Sequence, residues 1–321
     1  MKDLFVVTGG AGFIGRNIVA ELNERGEDNI LVVDRLGHDE KWRNLVGLTF
    51  DDFIDIDDFR TGINCGALKD VRTVFHLGAC SDTTETDADY LLDNNYSYSC
   101  DVCGWCIEND IRFIYASSAA TYGDGGLGYD DDEDSLALLR PLNMYGYSKH
   151  MFDLWARKNG LLPKIAGLKY FNVYGPYEDH KGDMRSVVNK AHAQILQEGV
   201  VRLFKSYHPD YRDGEQVRDF VYVKDAVAQT LWLHDNPDVG GIFNCGTGVA
   251  RTWIDLAQAT FAAMDAEPRI EFIDMPEHLR AKYQYHTQAN MSKIRAASCD
   301  LTPTTLEEGV KNYVQGYLQT T

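Results

Sequence analysis

The sequence of 321 residues lacks several features that would place it in particular classes of protein. It has no uninterrupted apolar run of about 18 residues, which a membrane-spanning helix requires, so we expect no membrane partner. Its first residues, Met1–Phe5, lack the basic and apolar pattern of a secretion signal, which predicts a cytoplasmic protein. Internal repeats and low-complexity segments are also missing from the sequence.

Basic residues are in the minority, because 31 lysines and arginines stand against 49 aspartates and glutamates, for a formal net charge of −18. Such a surface repels nucleic acid and anionic lipid at long range, so we expect neither as a partner. An anionic small molecule would have to meet a local group of basic side chains set against this background. Hydrophobic residues make up 44% of the chain, an ordinary share that allows a large core.

The seven cysteines are an odd number at irregular spacing, which indicates reduced thiols rather than a disulfide framework. Cys100, Cys103 and Cys106 form a C-x-x-C-x-x-C pattern that can belong to a metal or iron–sulfur site. No fourth ligand lies nearby at a suitable spacing, and residues 96–109 have the pattern of a helix. A spacing of three places the thiols along one helical stripe, so we interpret them as small buried hydrophobic residues and predict no metal site.

Short apolar runs alternate with helical stretches over the first 120 residues, which predicts an α/β fold with a parallel sheet covered by helices on both faces. The predicted strands are residues 4–8, 30–33, 71–77, 111–116, 165–170, 220–223 and 242–244, and the predicted helices include 13–25 and 143–158. Beyond residue 172 the alternation loosens. We therefore expect a Rossmann-type doubly wound sheet in residues 1–171, with about 219–245 returning to it, and a smaller substrate-binding domain in 172–218 and 246–321.

Two segments are typical of loops. Residues 123–134 are rich in glycine and then in acidic side chains, which predicts a mobile, solvated loop. Residues 206–216 are polar and rich in turn-forming residues, which predicts a loop over a site.

A glycine-rich turn, Val7–Gly15, follows the first strand and opens the first helix. Glycine is needed where the chain turns tightly and where the backbone approaches a pyrophosphate, and the new helix directs free N–H groups at the phosphates. Asp34 ends the second strand, where a carboxylate binds the two hydroxyls of an adenosine ribose. The pattern therefore predicts a dinucleotide site that includes Gly9, Gly12 and Gly15.

The choice between the two nicotinamide dinucleotides depends on the charges that follow the second strand. Asp34 favours a free 2′-hydroxyl and therefore NAD. Arg35 follows it directly, and Lys41 and Arg43 lie a few residues further on, where they could hold a 2′-phosphate. We favour NADP, with NAD as the alternative.

Tyr145 and Lys149 form a Tyr-x-x-x-Lys pair, which lies on one face of a helix. A nearby ammonium favours the phenolate, so we expect the lysine to lower the pKa of the tyrosine and make it a general base. The strand that precedes them ends in hydroxyl residues, and ligands bind outside the carboxyl ends of such strands. Ser117, Ser118 and Thr121 are the candidates to hydrogen-bond a reacting oxygen. The alternatives are a tyrosine and a surface lysine on an amphipathic helix, and serines that only cap a turn.

Together, these elements resemble the extended short-chain dehydrogenase/reductase family. Within that family, the chain is similar to nucleotide-sugar epimerases that act on ADP-linked heptoses, and the alanine pair before Thr121 and the His-Lys-Gly sequence are the more specific signals. The resemblance rests on Thr8–Gly15, Gly78–Ser81, Asp93–Tyr96, Tyr115–Gly123, Tyr145–Lys149, Tyr170–Pro176, His180–Gly182 and Arg218–Val223.

The resemblance implies a role for each matching residue. The implied catalytic residues are Ser118, Tyr145, Lys149 and, as a second acid/base, Lys181. The implied cofactor contacts are Gly9, Gly12, Phe13, Ile14, Gly15, Asp34, Arg35, Lys41, Leu77, Gly78, Ala79, Cys80, Ser81, Asn94, Lys149 and Val173. The implied substrate contacts are Asn172, Asp183, Lys190, Phe204, Lys205, Arg218 and Tyr283, with Arg218 on the diphosphate.

The resemblance also implies an epimerase that uses bound NADP on an ADP-heptose, forms a homo-oligomer (a pentamer) and serves lipopolysaccharide core biosynthesis. Without it, Lys181 would be interpreted as a solvated loop cation. The chain departs from the family pattern at Leu77, where a glutamate is expected, at Ile56, where a basic residue is expected, and in a longer loop at 205–217.

Two alternatives remain. A 4-epimerase or 4,6-dehydratase could use the same scaffold, but a dehydratase carries an acidic pair near the catalytic serine, where this chain has Ala119 and Ala120. A dinucleotide-sensing regulator without catalysis would have lost the tyrosine or the lysine, and both Tyr145 and Lys149 are present.

Overall fold

The computed structural model describes residues 3–280 and 283–320. Its strands are β1 (Leu4–Thr8), β2 (Ile30–Val33), β3 (Asp52–Ile54), β4 (Val71–His76), β5 (Arg112–Ser118), β6 (Ala166–Tyr170), β7 (Asn172–Tyr174), β8 (Val201–Phe204), β9 (Val217–Tyr222), β10 (Gly241–Cys245), β11 (Ala250–Thr252) and β12 (Ile270–Ile273). Its α-helices are α1 (Phe13–Glu24), α2 (Ile56–Asn64), α3 (Ala88–Leu91), α4 (Tyr98–Glu108), α5 (Met144–Lys158), α6 (Val187–Glu198), α7 (Val223–Asp235), α8 (Trp253–Ala263), α9 (Glu277–Arg280), α10 (Ser292–Ala296) and α11 (Leu306–Tyr313).

The central sheet has seven parallel strands in the order β10-β6-β5-β4-β1-β2-β3. Its strands are almost continuously apolar because helices cover both faces, with α1 and α7 together on one side and α2, α4 and α5 on the other. The chain reverses direction of winding between β1 and β4, which makes their carboxyl ends the expected ligand site. The predicted α/β fold class is confirmed.

Two smaller sheets lie outside the central one. Strand β9 pairs with β7 and β11, and β8 pairs with β12. A separate small core joins α6, β8 and α8 through Ile195, Leu203 and Phe261. Within the segment expected to return to the main sheet, β10 joins it and α7 packs on it, whereas β9 belongs to the small sheet. The exact division into two domains stays a prediction.

The predicted strands match β1, β2, β4, β5, β6, β9 and β10 to within a few residues. The predicted helix at 96–109 is α4, which continues a π-helical segment, Leu92–Ser97. Cys103 and Cys106 are buried and Cys100 is half-buried on α4, as the stripe predicted. In the described part of the chain, no helix has the length and apolar character needed to cross a membrane.

The prediction of a solvated loop at 123–134 is wrong for Asp131 and Glu133, whereas Asp130, Asp132 and Asp134 are exposed. Asp131 is buried, and its carboxylate accepts a hydrogen bond from the backbone N–H of Asn244 at 2.7 Å. Glu133 accepts one from the N–H of Ile242 at 3.0 Å. Strand β10 is the edge of the central sheet, so these acidic side chains satisfy backbone donors that no neighbouring strand can reach. Burial raises the pKa of Asp131 to about 6.

Candidate functional site

The loops that follow β1 and β4 are in contact at the point where the sheet reverses its winding. Gly9 has a positive φ of 70°, and a Cβ there would lie 2.7 Å from the backbone nitrogen of Gly78. The N–H of Gly78 donates to Oγ1 of Thr8 at 3.1 Å. The structure therefore brings together the two loops that were predicted separately as cofactor contacts, Gly9–Gly15 and Leu77–Ser81.

Helix α1 begins at Phe13, directly after the glycine turn, and Gly12 is its N-cap. The first N–H groups of a helix have no partner within it, so they and the positive end of the helix dipole are available to phosphate oxygens. A Cβ on Gly15 would lie 2.1 Å from the carbonyl oxygen of Gly9, so only glycine fits. Ile14 is half-buried next to this turn.

The buried carboxylate of Asp34 lies beside the glycine turn, because the N–H of Ala11 donates to its Oδ2 at 2.9 Å. Lys41 forms an ion pair with the other oxygen at 2.6 Å. Arg35 is exposed and pairs with Asp55 and Asp57, at 3.2 and 2.7 Å. The third cation of the segment, Arg43, is exposed and paired with Glu40. Of the three predicted cations, Lys41 is therefore the one held at the carboxylate of Asp34.

Tyr145 lies in the first turn of α5, where Asn143 caps the helix by accepting a hydrogen bond from the N–H of Gly146 at 2.8 Å. The phenol of Tyr145 lies near Ser118, the last residue of β5, whose hydroxyl lowers the pKa of the phenol. Lys149 is buried one helical turn further on, with 4% of its surface exposed. The alternative of a surface lysine on an amphipathic helix is therefore wrong.

The structure distinguishes among the three hydroxyl candidates. Ser117 donates to the buried carboxylate of Asp153 at 2.7 Å, and Thr121 donates to the carbonyl of Ser118 at 2.8 Å. Thr121 also accepts a hydrogen bond from Lys169 at 2.6 Å. These two hydroxyls are occupied in the interior. Ser118 is the candidate that lies near Tyr145, and its Oγ also caps the turn by accepting a hydrogen bond from the N–H of Ala120 at 3.1 Å.

A fully buried ion pair lies beneath these residues. Lys169 and Asp153 are 2.9 Å apart, and neither side chain is exposed. Asp153 also accepts a hydrogen bond from the hydroxyl of Tyr115 at 2.9 Å. Because Asp153 lies on α5 and its partners lie on β5 and β6, the network fixes the helix of Tyr145 against the strand of Ser118. A buried ion pair needs further hydrogen bonds to hold its geometry, and here Asp153 accepts them from Tyr115 and Ser117 while Lys169 donates one to Thr121.

The prediction that Lys149 lowers the pKa of Tyr145 is wrong. Burial raises the pKa of Tyr145, while the hydrogen bond from Ser118 opposes the rise and Cys80 adds to it. Burial also lowers the pKa of Lys149 to about 8, while Asp153 and Cys80 oppose the decrease. The sequence shows the spacing of the pair but not the depth of its burial, and desolvation of both groups is the larger effect here.

Asn95 is a residue of the site that sequence reasoning missed. It is fully buried, its Oδ1 accepts from the N–H of Cys80 at 2.8 Å, and its Nδ2 donates to Oγ of Ser148 at 3.0 Å. It therefore ties the loop after β4 to the helix that carries Tyr145 and Lys149. Asn94, which was predicted, donates to Asn95 at 3.1 Å. The π-helical segment around them was the available structural signal, because such segments are frequent at functional sites.

Lys181 lies in a 3-10 helix, Asp179–Met184, and its ammonium lies over the ring of Phe13 at 5.3 Å from the ring centre. It is half-buried, so it is not a solvated loop cation. Burial lowers the pKa of Lys181, Glu178 opposes the decrease and Lys190 adds to it. The structure thus places this lysine at the start of α1, beside the predicted dinucleotide site.

Arg218 is a buried cation with 6% of its surface exposed. Its guanidinium stacks near the rings of Tyr283 and Trp253, at 5.0 and 5.5 Å, and donates to the carbonyl of Val217 at 2.8 Å. Within residues 3–280 and 283–320, no carboxylate pairs with it. Burial lowers the pKa of Arg218. An unpaired interior guanidinium is suited to an incoming anion.

The other residues predicted to contact the substrate or the cofactor lie in several different parts of the fold. Asn172 opens β7 beside β9, the strand of Arg218, and Val173 pairs with Val221. Lys190 donates to the carbonyl of Asp183 on an exposed turn. Lys205 is exposed and pairs with Asp274 at 3.1 Å, and Phe204 ends β8. The segment after β8 has no helix or strand before β9, as predicted for a loop.

This geometry is that of enzymes that use a nicotinamide dinucleotide to oxidise and reduce an alcohol carbon. The chain belongs to the NAD dependent epimerase/dehydratase family, whose sequence model matches residues 5–246.

Three known proteins illustrate how similar the relatives are. An ADP-L-glycero-D-manno-heptose-6-epimerase of Nitratidesulfovibrio vulgaris is 58% identical over 316 residues, 98% of each chain. The crystal structure of the Helicobacter pylori enzyme of the same name superposes with a TM-score of 0.81 at 27% identity, covering 98% of this chain and 96% of that one. A UDP-glucose 4-epimerase of Thermus thermophilus in complex with NAD has a TM-score of 0.78 at 25% identity, over 99% and 100% of the chains.

We predict that Gly15→Ala abolishes dinucleotide binding, because the new Cβ displaces the carbonyl of Gly9 and opens the turn. Calorimetric titration with NADP and NAD measures the loss. Gly62→Ala is the matched control: Gly62 lies in α2 with open space around it, so alanine is expected to stabilise the helix by about 0.5–1 kcal/mol. Wild-type affinity in the Gly15 variant would contradict the assigned site.

Proposed function

We propose that the protein interconverts ADP-D-glycero-D-manno-heptose and ADP-L-glycero-D-manno-heptose at C6 of the sugar, with a tightly bound nicotinamide dinucleotide. The observation that carries the proposal is the relative of that activity at 58% identity over 98% of both chains. The 4-epimerase alternative rests on structures of about half that identity. The contact of Ser118 with Tyr145 above a buried Lys149 supplies the catalytic group that the reaction needs.

The residues present fit such a cofactor. The glycine turn leaves a cradle that a Cβ would fill at Gly15, and the start of α1 offers free N–H groups for a pyrophosphate. Asp34 would bind the adenosine ribose, and Lys149 the nicotinamide ribose. A bound nicotinamide dinucleotide would accept the C6 hydrogen of the sugar as hydride and return it to the opposite face of the same carbon.

The protein itself must remove one proton from the substrate hydroxyl group and later return one to the same oxygen. In the first half of the reaction, the hydroxyl group at C6 loses its proton to a base, and the carbon becomes a ketone. In the second half, the same oxygen regains a proton from an acid on the other side. We assign these roles to Tyr145 and Lys181, one for each epimer, and assign to Ser118 the polarisation of the oxygen by a hydrogen bond.

Two lysines favour this chemistry because burial lowers their pKa values. Lys181 is half-buried against Phe13, and a lysine with a lowered pKa can release and accept a proton closer to neutrality. Lys149 is a cation below a pH of about 8. We assign to it the binding of the nicotinamide ribose rather than a lowering of the pKa of Tyr145, which burial raises.

We infer that the diphosphate of the substrate binds Arg218. The net charge of the chain is −18, and this buried guanidinium, which pairs with no carboxylate among the described residues, offsets that background locally. The aromatic rings of Trp253 and Tyr283 hold it in place. Asn172 is proposed to contact the sugar.

For the cofactor, we favour NADP because Lys41 is held at the ribose carboxylate and Arg35 lies next to it. NAD is the second candidate, since Asp34 itself favours a free 2′-hydroxyl and Arg35 is engaged by Asp55 and Asp57. By its resemblance, the protein would be a cytoplasmic homo-oligomer, a pentamer, that serves lipopolysaccharide core biosynthesis.

The first prediction from this proposal is conversion without added cofactor. The purified protein, mixed with ADP-D-glycero-D-manno-heptose and followed by NMR, should form mainly the L-glycero epimer. In deuterated water, C6 should retain its protium, because the hydrogen moves as hydride. Deuterium at C6 would indicate deprotonation beside a carbonyl instead. Absence of conversion, with NADP or NAD supplied, would indicate that the substrate is another nucleotide sugar.

The second prediction concerns the two bases. Tyr145→Phe and Lys181→Met should each slow epimerisation by about 10²–10⁴-fold, the usual contribution of general acid–base catalysis. Tyr147→Phe, an exposed tyrosine on the same helix, and Lys224→Met, an exposed lysine on α7, are the matched controls. Near-normal rates of epimerisation in both Tyr145→Phe and Lys181→Met would rule out the two-base scheme.

The third prediction concerns the 2′-phosphate. Lys41→Ala should weaken NADP binding by about tenfold or more, equivalent to about 1.4 kcal/mol, and change NAD binding much less, because only the former carries the extra phosphate. Arg43→Ala, whose cation pairs with Glu40, is the control. Equal losses for both dinucleotides, measured by calorimetry, would favour NAD as the natural cofactor.

A further inference from the structure

One buried asparagine connects the dinucleotide-binding turn with the segment that carries Lys181. Asn44 has 6% of its surface exposed and lies in a 3-10 helix, Glu40–Leu45. Its Nδ2 lies 2.9 Å from the carbonyl oxygen of Ala11, 3.2 Å from that of Tyr177 and 3.1 Å from Nδ1 of His180, so its two N–H groups are shared among three acceptors. Three acceptors from two distant parts of the chain therefore converge on one amide.

We propose that Asn44 is the positioning residue that fixes the Lys181 segment, Tyr177–Ser186, against the glycine turn and so places the ammonium of Lys181 over Phe13. The role rests on the proposed function, in which Lys181 is the second acid/base. Asn44 itself does not contact the reacting atoms.

The Lys181 segment needs such a tether because of its own conformation. Tyr177 has a φ of 74°, a left-handed conformation that a bulky residue adopts only when its surroundings impose it. The guanidinium of Arg16 lies 3.5 Å from the centre of its ring and donates to the carbonyl of Asn44 at 3.3 Å. The hydrogen bond from Asn44 to the carbonyl of Tyr177 therefore acts on the strained residue itself.

Other contacts also hold the segment. Glu178 is fully buried, and its carboxylate accepts hydrogen bonds from the N–H and the hydroxyl of Ser186, which set the shape of the segment. Asp179 accepts hydrogen bonds from Asn189 at 2.9 Å and from Tyr317 at 2.8 Å, which tie the segment to parts of the chain away from the glycine turn. Asn17 of α1 donates to the carbonyl of Pro176, one residue before the segment, at 3.2 Å, whereas Asn44 reaches both Tyr177 and His180 within it.

The chemistry of His180 agrees with the direction of the bond from Asn44. An asparagine NH₂ only donates, so Nδ1 of His180 must be the unprotonated nitrogen. Burial lowers the pKa of His180, with Lys41 and Lys181 adding to the decrease and Asp39 and Asp34 opposing it, which keeps the ring neutral. A neutral ring next to Lys181 avoids a second positive charge beside its ammonium.

The test replaces Asn44 with aspartate, which keeps the shape and removes both N–H donors of the side chain, and with alanine. Each variant is treated with acetic anhydride in trace amounts, and acetylation of Lys181 is measured by mass spectrometry relative to the exposed Lys224. We expect acetylation of Lys181 to rise by about tenfold as the segment detaches. Asn23→Ala is the matched control, because Asn23 also tethers two segments, through Glu27 and Thr49, away from the site.

Catalysis supplies the second measurement. Under single-turnover conditions, both Asn44 variants should slow the reduction of the bound dinucleotide, followed by its absorbance, by about ten- to a hundredfold more from one epimer than from the other, as a displacement of about 1 Å can cost a hundredfold. Dinucleotide content should stay at the wild-type level. Equal slowing of dinucleotide reduction from the two epimers, or acetylation unchanged from the Asn23→Ala control, would overturn the proposal.

Failure of the proposed function can be distinguished experimentally from failure of the proposal for Asn44. If Lys181→Met epimerises normally, the two-base scheme is wrong, and the acetylation of Lys181 still decides whether Asn44 positions the segment. If both Asn44 variants fail to fold, His180→Ala removes one of the three acceptors and should raise acetylation of Lys181 in the same direction by a smaller factor. No rise in a folded His180→Ala protein would then count against the proposal.

Discussion

The loops that leave β1 and β4 approach so closely that no side chain fits between them, and the site is arranged around this contact. Gly9 lies against the backbone of Gly78, and Gly15 lies against the carbonyl of Gly9. The absence of three Cβ atoms lets the start of α1, the ribose carboxylate of Asp34 and the loop after β4 face one crevice. The helix of Tyr145 reaches the same crevice through the hydrogen bonds of Asn95.

The site shows how an acidic protein can offer positive charge to anionic ligands. Three basic residues that we propose to meet these ligands are in the interior rather than in a surface patch: Lys149 and Arg218 are buried and Lys181 is half-buried. Burial lowers the pKa of each of them, which is a cost to the free protein. Anionic groups of a cofactor and a substrate would relieve that cost, so the same burial that destabilises the cations strengthens their binding role.

Several segments around the crevice are held by polar side chains that reach across the fold. The pair of Asp153 and Lys169 joins α5 to β5 and β6, and Asn44 joins the glycine turn to the Lys181 segment. Asp131 and Glu133 close the edge of the sheet at β10. These hydrogen bonds are strong because little water competes with them in the interior. They fix the relative positions of the segments, which apolar packing alone would leave adjustable.

Much of this protein was determined by local sequence. Continuous apolar runs such as Leu4–Thr8 predicted a sheet buried on both faces, the glycine turn predicted its phosphate cradle, and a four-residue spacing placed Tyr145 and Lys149 on one helical face. These features depend on periodicity and backbone conformation, which neighbouring residues control.

Only the tertiary structure decided which candidates act together. Ser117 and Thr121 are buried in a network, whereas Ser118 lies beside Tyr145. Lys41 rather than Arg43 pairs with Asp34, and Lys181 lies half-buried at the start of α1 rather than in a solvated loop. The pKa of Tyr145 followed burial rather than the neighbouring lysine. Partners distant in sequence and the depth of burial control these outcomes, and neither is encoded in the spacing of residues along the chain.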